Sequence, residues 1–303
     1  MTYQVENPVA LFIFNRPDLT QIVFEKIKLV KPKTLFVIAD GARDIVGEAE
    51  LVKLCRAVTS GIDWECEIMT DYSEVNLGCK DRMASGIDKV LRTVNRAIFL
   101  EDDCLPDEDF FRFMDLMLDQ FEGDNKIGMI SGTNMHTEKD SSFLESDIYF
   151  SKYAHIWGWA TWANRWIDTY EIDLESWPDV KKSGSLKNYF NTQEEYRYWE
   201  TIFDDMHKEP FTWDYQWTYI NFLLGRKSVV SKYNLITNIG FNRIDATHTK
   251  VLSDDANKPT LDLPSEIKTF PDELNGQLLE EIESIRYRRK NFLFRVLRKL
   301  LRS

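Results

Sequence analysis

Three adjacent carboxylates, Glu101, Asp102 and Asp103, follow directly on the apolar run Ala97-Ile98-Phe99-Leu100. Like charges at that spacing repel one another, and hard oxygen ligands side by side suit a divalent cation such as Mn2+ or Mg2+; a solvated acidic turn is the plain alternative. Two other apolar runs end in groups that suit a nucleotide. Val9–Phe14 leads into Asn15-Arg16, and Thr34–Ala39 leads into Asp40-Gly41. An arginine grips phosphate oxygens in a fork, and an aspartate accepts from a base or ribose donor. Each also has an ordinary reading, a surface ion pair for Arg16 and a turn for Asp40-Gly41. If the three runs are parallel strands, their tips share the edge where open α/β sheets bind ligands.

The elements that must position these groups are legible as a period change. Continuous apolar runs at 9–14, 34–39 and 97–100 read as strands buried on both faces, and the alternation Trp64, Cys66, Ile68 reads as a half-buried one. Between them lie helical spacings, from Pro17 to about Val30, along Leu51, Leu54 and Val58, and over 79–94, with Pro106 placed to open the next helix. The order β-α-β-α-β-α-β predicts an α/β fold, a mainly parallel sheet with helices on both faces and right-handed crossovers. Residues 126–131 and 148–150 read as further strands, 178–195 as an exposed polar excursion, and Pro271–Ile285 as a helix.

Neither Gly-x-Gly-x-x-Gly nor Gly-x-x-x-x-Gly-Lys-Ser/Thr occurs, which disfavours a dinucleotide Rossmann domain and a P-loop. Without a glycine cradle, pyrophosphate charge must be met by metal and side chains. A formal net charge of −12 argues against nucleic-acid binding. Cys55, Cys66, Cys79 and Cys104 show no metal-type spacing and read as reduced thiols of a cytoplasmic protein. The polar N-terminus reads as lacking a signal peptide, and no apolar run is long enough to span a bilayer.

Taken together, these blocks resemble nucleotide-diphospho-sugar transferases of the GT-A (Rossmann-like) fold, with the nearest likeness to inverting N-acetylglucosaminyltransferases. The likeness rests on Glu101-Asp102-Asp103 with the following Phe110-Phe111, Gly158-Trp159-Ala160-Thr161-Trp162, Trp213-Asp214-Tyr215-Gln216-Trp217, and Gly240-Phe241-Asn242-Arg243 to Thr247-His248-Thr249. Tyr215 and Gln216 depart from the family's Trp-Asp-Asp-Trp segment, and no membrane anchor precedes the domain, so the chain looks more like a soluble bacterial relative. The resemblance implies Asp103 as direct metal ligand, Asp102 toward the donor sugar and ribose, Asp214 as catalytic base, and Arg16 and Asp40 as nucleotide contacts. Asn15, Gly41, Lys80 and Glu101 are counted with the donor site, and Arg243 and His248 with a loop expected to order over the donor. Trp213 and Trp217 are the expected acceptor platform, although eight of nine Trp lie between 157 and 217 and clustered Trp is as often core.

The expected activity is transfer of a sugar from a nucleotide-diphosphate donor to a glycan or lipid-linked acceptor in surface-polysaccharide assembly. A sugar-nucleotide-forming nucleotidyltransferase and a non-enzymatic metal-binding module are the rivals. The expected organisation is a transferase domain over 1–250, with a nucleotide half 1–131 and an acceptor half 132–250, then a linker and basic tail over 251–303. From Arg286 to the end there are eight basic residues and no acid, and Leu293, Val296, Leu297, Leu300 and Leu301 share a helical face. That suits an anionic membrane surface, with a partner-binding helix as the alternative.

Overall fold

The computed structural model describes residues 3–241, 243, 256–270 and 276–287, with only the backbone of Glu138. His248 and the tail beyond 287 lie outside the described residues. The strands are β1 (Val9–Ile13), β2 (Thr34–Ala39), β3 (Glu67–Tyr72), β4 (Arg96–Glu101), β5 (Cys104–Pro106), β6 (Ile127–Ser131), β7 (Ile148–Ser151), β8 (Trp159–Trp162), β9 (Lys227–Ser231) and β10 (Ile236–Asn238). The helices are α1 (Pro17–Val30), α2 (Glu48–Val58), α3 (Gly78–Thr93), α4 (Glu108–Gln120), α5 (Glu138–Ser141), α6 (Ala163–Trp166), α7 (Trp177–Ser183), α8 (Gln193–Lys208), α9 (Asp214–Leu223) and α10 over residues 276–287.

Among the described residues, one eight-stranded sheet has the order β3-β2-β1-β4-β8-β6-β9-β7. Its first four strands are parallel, β8 and β7 run against their neighbours, and β6 pairs parallel with β9. This is the mainly parallel α/β sheet expected, with helices on both faces. Alternate residues of β1 serve opposite layers: Val9, Leu11 and Ile13 pack with α1 and α4, while Ala10 and Phe12 pack with α3. The second layer is filled by α8, α9 and the tryptophans.

Three expectations shift. The third strand begins at Glu67 rather than near Trp64, and Ile68 is 46% exposed, because an edge strand needs only one covered face. Pro106 ends β5 instead of opening a helix; Asp107 caps α4, its side chain accepting from the Asp109 N–H at 3.1 Å. The stretch 178–195 is not simply exposed, since α7 crosses it and Leu186 and Phe190 are buried.

Described residues after 250 pack against the strands and helices before it. The Leu263 N–H donates to Asp109 at 3.0 Å and the Lys268 N–H to Asp147 at 2.8 Å. On α10, Leu279 and Glu283 are fully buried, and Glu283 Oε1 lies 2.6 Å from His155 Nε2 while its Oε2 accepts from Ser151 Oγ at 3.0 Å. β6 also takes its place between β8 and β9, so both halves share one sheet.

Candidate functional site

The acidic triplet is a turn clamped at both ends. Before it, β4 pairs with β1, where Phe12 lies opposite Glu101; after it, β5 pairs antiparallel with β10, where Asn238 lies opposite Cys104. The Ile239 N–H donates to the Asp103 carbonyl at 2.9 Å. A Cβ on Gly240 would stand 2.3 Å from Asp103 Oδ2, so the chain passes over that carboxylate only because residue 240 has no side chain. Residue 243 closes the crossing, with Arg243 Nη1 donating to Asp18 in the first turn of α1 at 2.8 Å.

Arg16, at the tip of β1, spans two of the three acids. Its Nη1 donates to Asp103 Oδ2 at 2.9 Å and its Nη2 to Asp102 Oδ1. Burial opposes the guanidinium charge, but the two carboxylates outweigh it and raise the Arg16 pKa. One cation does not neutralise three acids. Burial, reinforced by Asp103 and Asp102, raises the Glu101 pKa, and burial raises that of Asp102 against the pull of Arg16. Asp102 Oδ2 is buried with no hydrogen-bond partner.

From the other side, α9 presents Asp214 in its first turn, half-buried, accepting from Thr212 Oγ1. The helix dipole favours its ionised form. Asp214 lies within electrostatic reach of Glu101 and of Cys79, whose thiol pKa is raised by burial and then by Glu101 and Asp214. Tyr170 joins the same corner, its hydroxyl donating to the Trp213 carbonyl at 3.0 Å and its ring stacked 3.9 Å from Trp166. Arg16, Asp102 and Asp103 are thus in contact, with Glu101 next to them in the turn and Asp214 within electrostatic reach of Glu101.

Other predicted residues are committed elsewhere. Asp40 Oδ1 accepts from the Gly41 and Leu77 N–H groups at 2.8 and 2.9 Å, and its Oδ2 from Asn76 Nδ2 and the Gly78 N–H, both at 3.0 Å. Those four donors fill the carboxylate's lone-pair positions, so Asp40 braces the entry to α3. Gly41 is required by close packing, since a Cβ there would meet the Val75 carbonyl carbon at 2.4 Å. Asn15 Nδ2 donates to Glu48 at 2.9 Å, and Lys80 lies 3.1 Å from Asp173 and 3.4 Å from Asp81.

The two tryptophans expected as an acceptor platform lie inside the packed layer. Trp213 and Trp217 are 1% and 0% exposed, packed with Trp159 and Trp166, and present no ring face to a sugar. Of the eight clustered tryptophans only Trp157 is partly exposed, beside the Phe241 ring at 5.5 Å. Cys79, Tyr170 and Thr212, which flank Asp214, have no sequence signal beyond Thr212's place two residues before it.

The donor set suits a hard divalent cation in one particular way. No group of three or more His, Cys, Asp or Glu among the described residues is arranged to hold an ion. Asp103 and the orphaned oxygen of Asp102 are nonetheless hard ligands of the kind that hold Mg2+ or Mn2+ when substrate phosphates and water complete the shell. The residues fit such a shared site and not an all-protein cage.

No protein-family model matches the chain, and no curated protein matches it. Among solved structures it is similar to mannosyltransferase PcManGT from Pyrobaculum calidifontis in complex with GDP-Man and Mn2+, at 14% identity over 53% of this chain and 45% of that one, TM-score 0.35. The chain therefore spans less than half the length of that protein. It is also similar to UDP-glucose pyrophosphorylase, as the apo form (9% identity, 76% of this chain and 93% of that one, TM-score 0.38) and with UDP-glucose (9%, 75% and 90%, 0.38).

Proposed function

We propose that the chain is a metal-dependent inverting glycosyltransferase that moves a sugar from a nucleotide-diphosphate donor to a hydroxyl of a glycan or glycolipid acceptor. The observation that carries this reading is the Arg16–Asp102–Asp103 set at the tips of β1 and β4, with Asp214 in the first turn of α9 within electrostatic reach of Glu101. Asp103, with Asp102, would hold the Mn2+ or Mg2+. That cation, when bound, supplies positive charge to the departing diphosphate.

The protein's own groups do the rest. Arg16 offers its guanidinium to the diphosphate. Asp214 accepts the proton of the acceptor hydroxyl as its oxygen attacks the anomeric carbon from the side opposite the leaving group, which inverts that centre. Thr212 Oγ1 donates to Asp214 Oδ1 and so orients the carboxylate that takes the proton. Tyr170 and Cys79, beside Asp214, replace the buried tryptophans as the acceptor-side surface. We extend the proposal to surface-polysaccharide assembly, with residues 286–303 holding the enzyme against an anionic membrane; co-sedimentation with anionic liposomes, lost on deleting those residues, is the outcome that supports it.

The decisive experiment is a thermal-shift panel of UDP, GDP and their sugar conjugates, with and without Mn2+, on wild type and Asp103→Ala. A ligand at 100 times its Kd adds about 2.7 kcal/mol of stability. A Mn2+-dependent rise with one base, lost in Asp103→Ala, is the expected result. No rise with any of them would falsify the transferase reading.

A further inference from the structure

One oxygen of each of the two acids that would hold the cation is already taken by Arg16. Asp103 Oδ2 accepts from Arg16 Nη1 at 2.9 Å and Asp102 Oδ1 from Nη2, and the Arg16 side chain is only 17% exposed. A divalent cation on Asp103 therefore competes with this guanidinium, since two cations cannot share the same buried oxygen without strong repulsion. Arg16 is also the residue that caps α1, so its backbone is fixed while its side chain is long enough to turn. Beside it stands the positive end of the α1 dipole, while Arg243 is anchored to Asp18 two residues further along the chain. A guanidinium released from Asp103 adds its charge to that of the helix N-terminus, and the two together suit an anion.

Resting on the transferase reading, we propose that Arg16 is a displaceable internal counter-ion. The cation takes Asp103 from it, and the freed guanidinium becomes part of the diphosphate's seat, so metal and nucleotide bind with positive coupling through this one side chain. Without metal, Arg16 keeps the acid turn from repelling itself open and withholds itself from phosphate. Glu101 gains no share of the fork, which makes the exchange a matter of Asp102 and Asp103 alone.

The test is Mn2+ binding to the full chain, followed by the free-ion EPR signal, with Mn2+ alone and with added UDP or GDP. Wild type, Arg16→Gln, Arg16→Lys and Asp103→Asn are compared. Arg16→Gln is expected to bind Mn2+ alone at least about tenfold tighter than wild type, because the competing charge is gone. The same variant is expected to lose most of the enhancement that nucleotide gives to Mn2+ binding. If Arg16→Gln does not fold, Arg16→Lys is read in its place; it keeps the charge, loses the two-carboxylate fork, and is expected to gain about threefold. Mn2+ affinity unchanged or weakened in these variants, with binding lost in Asp103→Asn, overturns the counter-ion role and leaves the transferase reading standing. Absence of Mn2+ binding in every form, with or without nucleotide, overturns both.

Discussion

Two groups of buried acids occupy this molecule, and burial does not tell them apart. Asp40 is 6% exposed and Asp103 is 8% exposed, yet Asp40 accepts from four neutral N–H donors while Asp103 shares one arginine with a second acid and a third lies next to it in the turn. Asp115 belongs with Asp40. It accepts from the Glu6 and Asn7 N–H groups at 2.7 and 3.1 Å and from Asn7 Nδ2 at 2.6 Å, tying α4 to the segment before β1. A carboxylate whose lone pairs are filled by fixed neutral donors is a brace. The pair Asp102 and Asp103, held by one arginine and with Asp102 Oδ2 unpartnered, keeps capacity for a cationic ligand.

The comparison is broken or sharpened by removing one acid at a time. The largest effect is expected from Asp214→Asn, which keeps the shape and removes the base; sugar transfer should fall by about 10²–10⁴ while donor binding, read by thermal shift, stays as in wild type. Transfer at the wild-type rate would remove Asp214 from the role. Next comes Asp40→Ala, which strands four donors around the entry to α3 and is expected to cost about 3 kcal/mol of stability in urea denaturation.

Acid gives a further separation, away from the site. Burial holds the His136 pKa down to about 4 from 6.5, so below pH 6.5 the unfolded chain takes up a proton that the folded one refuses. Stability should fall by about 2–3 kcal/mol as pH drops from 6.5 to 4. Glu283 acts in the same direction at lower pH. Burial alone would raise its pKa, but His155, His136 and the Ser151 hydroxyl lower it below 4.5, so its contribution is present above that value and lost beneath it. A His136→Gln variant should flatten the upper part of the melting-temperature curve. The smallest stability effect is expected from Asp103→Ala, within about 1 kcal/mol of wild type, because losing the Arg16 partner is offset by relief of repulsion in the turn. A loss as large as that of Asp40→Ala would place Asp103 among the braces.

Sequence reasoning was strong where a signal is local. Continuous apolar runs named β1, β2 and β4, and the helical spacings between them named α1 and α3, because runs of four to six apolar residues bounded by turn residues are too short for helices and a 3.6-residue spacing fits no strand. The tips of β1 and β4 and the acid turn followed from the same reading. The fate of Trp213 and Trp217 did not, since residue type is the same for a sugar platform and a core ring, and only packing against Trp159 and Trp166 distinguishes them. The β5–β10 pair was equally invisible. Three-residue strands have no periodicity to read, and their partners lie more than a hundred positions apart.

The sequence by itself determined the sheet's parallel half, its helices, and the placing of a basic and an acidic tip on one edge, because each depends on the order and period of neighbouring residues. Only the tertiary structure decided which acids are braces and which are open. It turned Asn76, Leu77 and Gly78 onto Asp40, brought Arg16 across to Asp102 and Asp103, and passed Gly240 over the Asp103 carboxylate. The physical reason is that a carboxylate's role is set by how many of its lone pairs its neighbours satisfy, and those neighbours come from distant parts of the chain.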